Sequence, residues 1–143
     1  MPFSFNQWKN SNMKKDISGR QDIENLVNAF YDKVRTDDTI GYIFDKIIGD
    51  DWSHHLPVMY QFWETVLLAV PGYAGNPVRK HIEVDKQVQL NEEHYARWLA
   101  LWSETLDNLF KGPVAEEAKK KATLMMQLIS TKVDWARQGK SIL

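Results

Sequence analysis

Four histidines, at positions 54, 55, 81 and 94, carry most of the metal-binding and proton-transfer capacity of a 143-residue chain that has no cysteine. Without thiolates, iron–sulfur clusters, cysteine-based zinc sites and thiol nucleophiles are all excluded. His54 and His55 are neighbours, so on a helix their side chains diverge by about 100° and cannot close a four-ligand zinc site. His94 follows Asn91, Glu92 and Glu93, a pattern that fits a helix's first turn and a capping or surface role. Nucleophile elbows, phosphate-binding glycine loops, dinucleotide fingerprints and paired-histidine zinc helices do not occur. A porphyrin demands less: its own nitrogens hold the iron, and one axial histidine from an apolar, aromatic pocket suffices. Six Trp, six Phe, five Tyr and five Met could line such a pocket, although aromatics at helical spacing build ordinary cores equally well. His81 directly follows Arg79 and Lys80, cations able to pair with the carboxylates of a bound group while the imidazole turns inward. An exposed histidine between loops has the same local sequence, so the residues alone leave both readings open.

The elements that must position these residues are helices. Ser18-Gly19-Arg20-Gln21 has the spacing of a capping box, and Ile23, Leu26, Val27, Phe30, Tyr31 and Val34 then recur at three and four. This helix stops near Thr36-Asp37-Asp38, and a short helical segment carries Ile40, Ile43, Phe44, Ile47 and Ile48 up to Gly49. Trp52, Met59, Phe62, Trp63, Val66, Leu67 and Val70 lay out the next stripe; with Ser53 as N-cap, Pro57 occupies the tolerated fourth position. Two glycines and two prolines make residues 71–77 a loop. A short unit, Val78–Ile82, holds His81, and an undefined connection runs to Gln89. Asn91 opens a helix burying Tyr95, Trp98, Leu99, Trp102, Leu106, Leu109 and Phe110. Pro113 starts a last one, carrying Val114, Ala118, Ala122, Met125, Leu128, Ile129 and Val133. No segment alternates as a strand does. The expectation is an all-α domain of four substantial helices with short additions, residues 1–17 forming an N-terminal extension and 18–143 the domain.

Charge and length remove further classes. Eighteen basic against nineteen acidic residues give a formal net charge of −1, and the basic residues are spread out, which offers no footprint for nucleic acid. The longest apolar run, Val66-Leu67-Leu68-Ala69-Val70, is far shorter than the ~20 residues of a membrane span, and the first residues lack the pattern of a secretory leader. A cytoplasmic protein without membrane or nucleic-acid partners is expected.

Four blocks then carry a resemblance. Phe30-Tyr31-Asp32-Lys33-Val34-Arg35, Gly41-Tyr42-Ile43-Phe44, Gly72-Tyr73-Ala74-Gly75-Asn76-Pro77-Val78-Arg79-Lys80-His81 and His94-Tyr95-Ala96-Arg97-Trp98-Leu99-Ala100-Leu101-Trp102 follow one another in the order found in truncated haemoglobins. The third block is the most specific, and the lack of any Gly-Gly pair resembles group III. The resemblance covers roughly residues 18–137 and implies a two-over-two helical sandwich around haem b. Residue by residue, it implies His81 as the proximal iron ligand and a distal pocket of Tyr31, His55, Met59 and Trp98. His54 is the rival of His55, one register step away. Phe44, Phe62, Trp63 and Trp98 would contact the macrocycle, with Arg79 and Lys80 near its carboxylates. Met59 stands where a branched aliphatic residue is usual. The implied ligands are O₂ and other diatomic molecules such as NO and CO. Transport, storage, NO detoxification and peroxidase-like chemistry all remain open, the redox activities requiring an external reductase. A haem-based ligand sensor and a cofactor-free helical interaction protein are the alternatives.

Overall fold

The computed structural model describes residues 13–141, and within them all regular structure is helical: α1 (Arg20–Arg35), α2 (Gly41–Ile48), α3 (Trp52–Leu68), α4 (Pro77–Gln87), α5 (Glu92–Leu109) and α6 (Pro113–Arg137). Helices α1 and α3 pack on each other, α5 and α6 form a second pair, and α1 crosses onto α5, so two helices lie over two. Helix α4 sits on α6, and α2 bridges from α1. Among the described residues no helix is long and apolar enough to cross a membrane.

The main core fills the interface between the pairs. Ile23, Leu26, Val27, Phe30 and Val34 of α1 meet Trp63 of α3 and Leu101, Trp102 and Leu106 of α5, all at most 3% exposed. A second cluster, Ile82 with Met126, Ile129 and Val133, fastens α4 to α6. Trp102 is fully buried and donates its indole N–H to the Ala118 carbonyl at 3.2 Å, which satisfies the one polar atom it brings inside. The predicted faces hold with three exceptions: Val70, beyond the end of α3, is 39% exposed, Leu109 37% and Leu128 50%. Met126 replaces Leu128, since Ala122, Met126, Ile129 and Val133 continue the buried stripe at three and four while Leu128 lies off it.

Several ends differ from the sequence reading. Gly19, not Ser18, is the N-cap of α1; Asp22 reaches back instead, its Oδ2 accepting from the Ser18 N–H at 2.9 Å and from the Lys15 ammonium at 2.6 Å. Helix α3 begins at Trp52 with Asp51 as N-cap, which places Pro57 at the sixth helical position. The carbonyl that it deprives of a partner belongs to Ser53, an exposed residue, so water can serve in its place. The loop ends one residue early because Pro77 is the first residue of α4, where its fixed φ and missing N–H suit a helix start. That helix runs on to Gln87, longer than the unit read from sequence.

Residues 1–12 of the expected extension lie outside the described residues, but its last residues are packed into the fold. Ile17 is 3% exposed in the main core. The Asp16 carboxylate accepts the N–H groups of Val114 and Ala115, each at 2.9 Å, and so caps α6 from nearly a hundred residues away. Gly112 has no side-chain cap to offer and stands at φ +150° against Asp16, where a Cβ would collide with the carboxylate. Asp16→Ala should therefore cost about 1–3 kcal/mol in urea unfolding, the loss of a cap whose N–H groups are partly buried. Burial alone would raise the carboxyl pKa values of Asp16, Asp22 and Asp37, but N–H donors and a neighbouring Lys or Arg bring each below the ordinary 3.8. Arg137 does the same for Asp85. With folded values depressed, the stability they contribute is present above pH 3.8 and lost as pH falls through the folded values; thermal melts on both sides of that pH check this.

Candidate functional site

One cavity of about 400 Å³ opens between the helix pairs and α4, within the range of small-molecule and cofactor sites. Its walls carry nearly every candidate residue. Tyr31, Phe44, His54, His55, Met59, Phe62, Trp63, Lys80, His81 and Trp98 all border it. Arg79 does not; its backbone N–H completes the Asn76 cap of α4 at 3.1 Å and its side chain is exposed. The basic pair is adjacent on a helix, so only one of its two side chains can face the cavity.

The cavity's inner wall is aromatic. Trp63 and Trp98 both stack on the buried Trp102, with ring centroids 4.4 and 5.7 Å away, and Phe30 meets Trp98 and Trp102 edge-on. Such packing holds the Trp98 ring in place.

Tyr31 is 7% exposed on the buried stripe of α1. Its hydroxyl lies 3.3 Å from His55 Nε2, and its ring packs edge-on against Phe44, Trp52 and His55. Of the adjacent pair, His55 meets Tyr31, whereas His54 also borders the cavity but is exposed. Burial holds the phenol far above its ordinary range, so Tyr31 remains a protonated donor at neutral pH. Burial, and then the charge of Lys80, hold the His55 imidazolium in check, which keeps the ring neutral.

His81 enters from another wall. Its Nδ1 lies 2.6 Å from the Pro77 carbonyl, one turn back on α4. A carbonyl can only accept, so Nδ1 carries the proton and the Nε2 lone pair is left free. Burial, outweighing the Pro77 contact, lowers the pKa and favours this neutral form. The elements decide the arrangement: α4 packs on α6 and carries His81, while α1 and α3 pack together and carry Tyr31 and His55.

Helix α2 is strapped across the opening. Tyr42 is 3.1 Å from His94 Nε2, Lys46 donates to the Gln87 carbonyl at 3.3 Å, and Arg97 pairs with Asp37 at 2.7 Å. His94 also accepts the Asn91 N–H through Nδ1 at 3.2 Å, completing a capping box. The expected capping role is therefore observed, and Nε2 must carry the proton that goes to Tyr42.

Sequence reading treated Tyr95 only as core and Tyr73 only as loop. Both border the cavity. Tyr95 lies one turn before Trp98, a spacing that could have placed it there. Its buried hydroxyl has no hydrogen-bond partner among the described residues, and burial first, then the Asp85 carboxylate, push its pKa up to about 12. Tyr73 belongs to an irregular loop, where no periodicity marks a facing side; its ring folds over Gly75 and packs on Phe62.

No family model matches the chain. A curated relative, the group 3 truncated hemoglobin ctb of Campylobacter jejuni, is 31% identical over 122 residues, spanning 83% of this chain and 91% of that protein. The chain belongs to the group III truncated haemoglobins. The crystal structure of a group III truncated hemoglobin from Campylobacter jejuni superposes with a TM-score of 0.77 at 27% identity, covering 85% of this chain and 95% of that one. The all-α, two-over-two architecture of this globin is thereby explained, and membership makes it a haem globin.

The residues at the cavity suit such a group: a free Nε2, an aromatic wall and an orphaned phenol all await a partner that the protein itself does not supply. In this truncated haemoglobin Tyr95→Phe should leave the haem-free chain equally stable or up to about 1–2 kcal/mol more stable in denaturant unfolding, because it removes an unsatisfied buried hydroxyl.

Proposed function

We propose that this globin binds haem b through Nε2 of His81 and takes O₂, with NO and CO as further ligands, beside Tyr31, His55, Met59 and Trp98. The observation that carries the reading is the 2.6 Å bond from His81 Nδ1 to the Pro77 carbonyl. It fixes the tautomer, orients the ring and raises the basicity of Nε2, as the outer partner of a metal-bound imidazole does. When bound, haem supplies an iron with one coordination position left for a small ligand. Phe44, Phe62, Trp63 and Trp98 provide the flat apolar contacts a porphyrin needs, and Lys80 at the rim is placed for its carboxylates. Arg79, which does not border the cavity, is left out of that role.

The protein's own work is to hold polar donors in a greasy pocket. Tyr31 keeps its proton and His55 stays neutral; one proton lies between the two, so the pair offers a ligand one polar hydrogen without a full charge. Donors held in place by T-shaped ring contacts hydrogen-bond a ligand that gathers negative charge and give less to an apolar one. Such a pocket suits polarising O₂ more than rapid exchange, which favours redox use, oxygen-dependent NO removal or peroxide reduction, over transport. Either reaction consumes electrons, and an external reductase has to supply them.

His81→Gly should lose the intense porphyrin absorption on reconstitution, while Tyr31→Phe should keep it and release O₂ roughly twofold to tenfold faster, the value of one hydrogen bond of about 0.5–1.5 kcal/mol. Unchanged haem and O₂ binding in His81→Gly would remove the axial assignment. Nitrate formation from NO by the oxygenated protein with a reductase, followed by stopped flow, tests the NO-removal reading; no turnover removes it.

A further inference from the structure

Helix α6 carries two apolar lines. The first, Ala118, Ala122, Met126, Ile129 and Val133, is buried against the rest of the fold. On the opposite side of the same helix lie Leu124, 55% exposed, Leu128, 50%, and Trp135, 36%. Lys121 and Thr131 complete this outer line, which reads Lys121, Leu124, Leu128, Thr131, Trp135 in steps of three, four, three and four. An average step of 3.5 is the spacing of a seam along which one helix packs on another helix. Exposed leucines scattered singly need no explanation, but large apolar side chains in register along one line, facing away from the core, do.

The charges beside the seam say what fits it. Lys120, Gln127 and Asp134 flank it on one side at intervals of seven, and all three are exposed. Lys120 makes no ion pair among the described residues. Asp134 bonds to Arg137 at 3.3 Å but keeps a side chain 55% exposed, with room to accept a second cation. An antiparallel copy of α6 with its two-fold axis at Leu128 answers each of these positions. Leu128 then meets Leu128 of the second copy, Leu124 meets Thr131 and Lys121 meets Trp135, while Lys120 faces Asp134 twice over, once on each side of the axis. The Lys121 ammonium stays on the Val66 carbonyl, 3.1 Å away, and its aliphatic stem covers the indole. A parallel copy sets Lys121 against Lys121 and offers Lys120 and Asp134 no opposite charge.

We propose that the outer face of α6 is a homodimer interface, in which two copies of this chain pack antiparallel about Leu128. The contact is small. A seam of some 20 helical residues is roughly 30 Å long and buries on the order of 1,000 Å² from both copies together, at the low end for a specific interface, so the dimer is a weak one. Because the same patch serves both copies, association closes at two. None of the seam residues borders the large cavity, so the proposal does not rest on the haem reading.

Sedimentation equilibrium of the full chain at low salt, from about 5 μM to about 500 μM, should fit a monomer–dimer equilibrium with a dissociation constant on the order of 100 μM. Leu128→Glu sets two carboxylates together on the axis and should weaken association at least about tenfold, with an unchanged melting temperature because the position is half exposed. Lys120→Glu and Asp134→Lys should each weaken it, and the two together should restore it. The chain has no cysteine of its own, so single cysteines report the register. Leu124→Cys mixed with Thr131→Cys should form a disulfide-linked dimer at least about fivefold faster than either variant alone, since only the mixture brings the two thiols within bonding range. A chain that stays monomeric throughout, that associates beyond two copies, or whose dimer survives Leu128→Glu overturns the proposal. So do a charge-swapped double variant no tighter than its parents and cysteine variants that cross-link as fast alone as mixed.

Discussion

The bond from His81 Nδ1 to the Pro77 carbonyl is the constraint around which the rest of the site is organised. An imidazole that can rotate or change tautomer presents its lone pair in no fixed direction; one tied by Nδ1–H to a helix carbonyl presents it along a single line. Pro77 is where this becomes possible. As the first residue of α4 it has a carbonyl held in helical geometry, Asn76 caps the turn by accepting the Arg79 N–H, and His81 falls one turn later. Where the tied ring sits in the fold is then set by α4 being held against α6 by Ile82, Met126, Ile129 and Val133.

The opposite requirement governs the Tyr31 side, where polar atoms are kept inside a hydrophobic interface. Burial is unfavourable for a hydroxyl or an imidazole without a partner, and Tyr31 and His55 meet it by facing one another at 3.3 Å. The surrounding rings of Phe44 and Trp52 leave them little freedom. Tyr95 is the residue for which the fold makes no such arrangement, and its buried hydroxyl has no hydrogen-bond partner among the described residues.

The stripes of α1, α3 and α5 were legible because apolar residues at three and four have only one way to be buried on a helix. Tyr31, Trp98 and Trp63 could be read as inward-facing on that ground. The failures share a different cause. Asp16 caps α6 from nearly a hundred residues away, a contact no local pattern reports. Met126 in place of Leu128 reflects where α4 and α5 touch α6, and Pro57 is tolerated because Ser53 happens to face water. His54 and His55 differ by one register step, and no local pattern told which of them α1 would bring alongside Tyr31.

What the sequence determined by itself is the set of parts: helical periodicity, the cap residues that start α4 and α5, a histidine behind a proline-led turn, and four blocks ordered as in the truncated haemoglobins. These are properties of neighbours along the chain, fixed by backbone geometry and side-chain type. Tertiary structure decided which polar atoms found partners and which did not. Tyr31 and His55 were paired, Arg79 was left outside, and the Tyr95 hydroxyl and the Trp52 indole were buried without an acceptor among the described residues. The physical reason is that satisfaction of a buried polar group depends on what lies within about 3 Å in space, a distance set by how helices pack and not by any spacing in the chain.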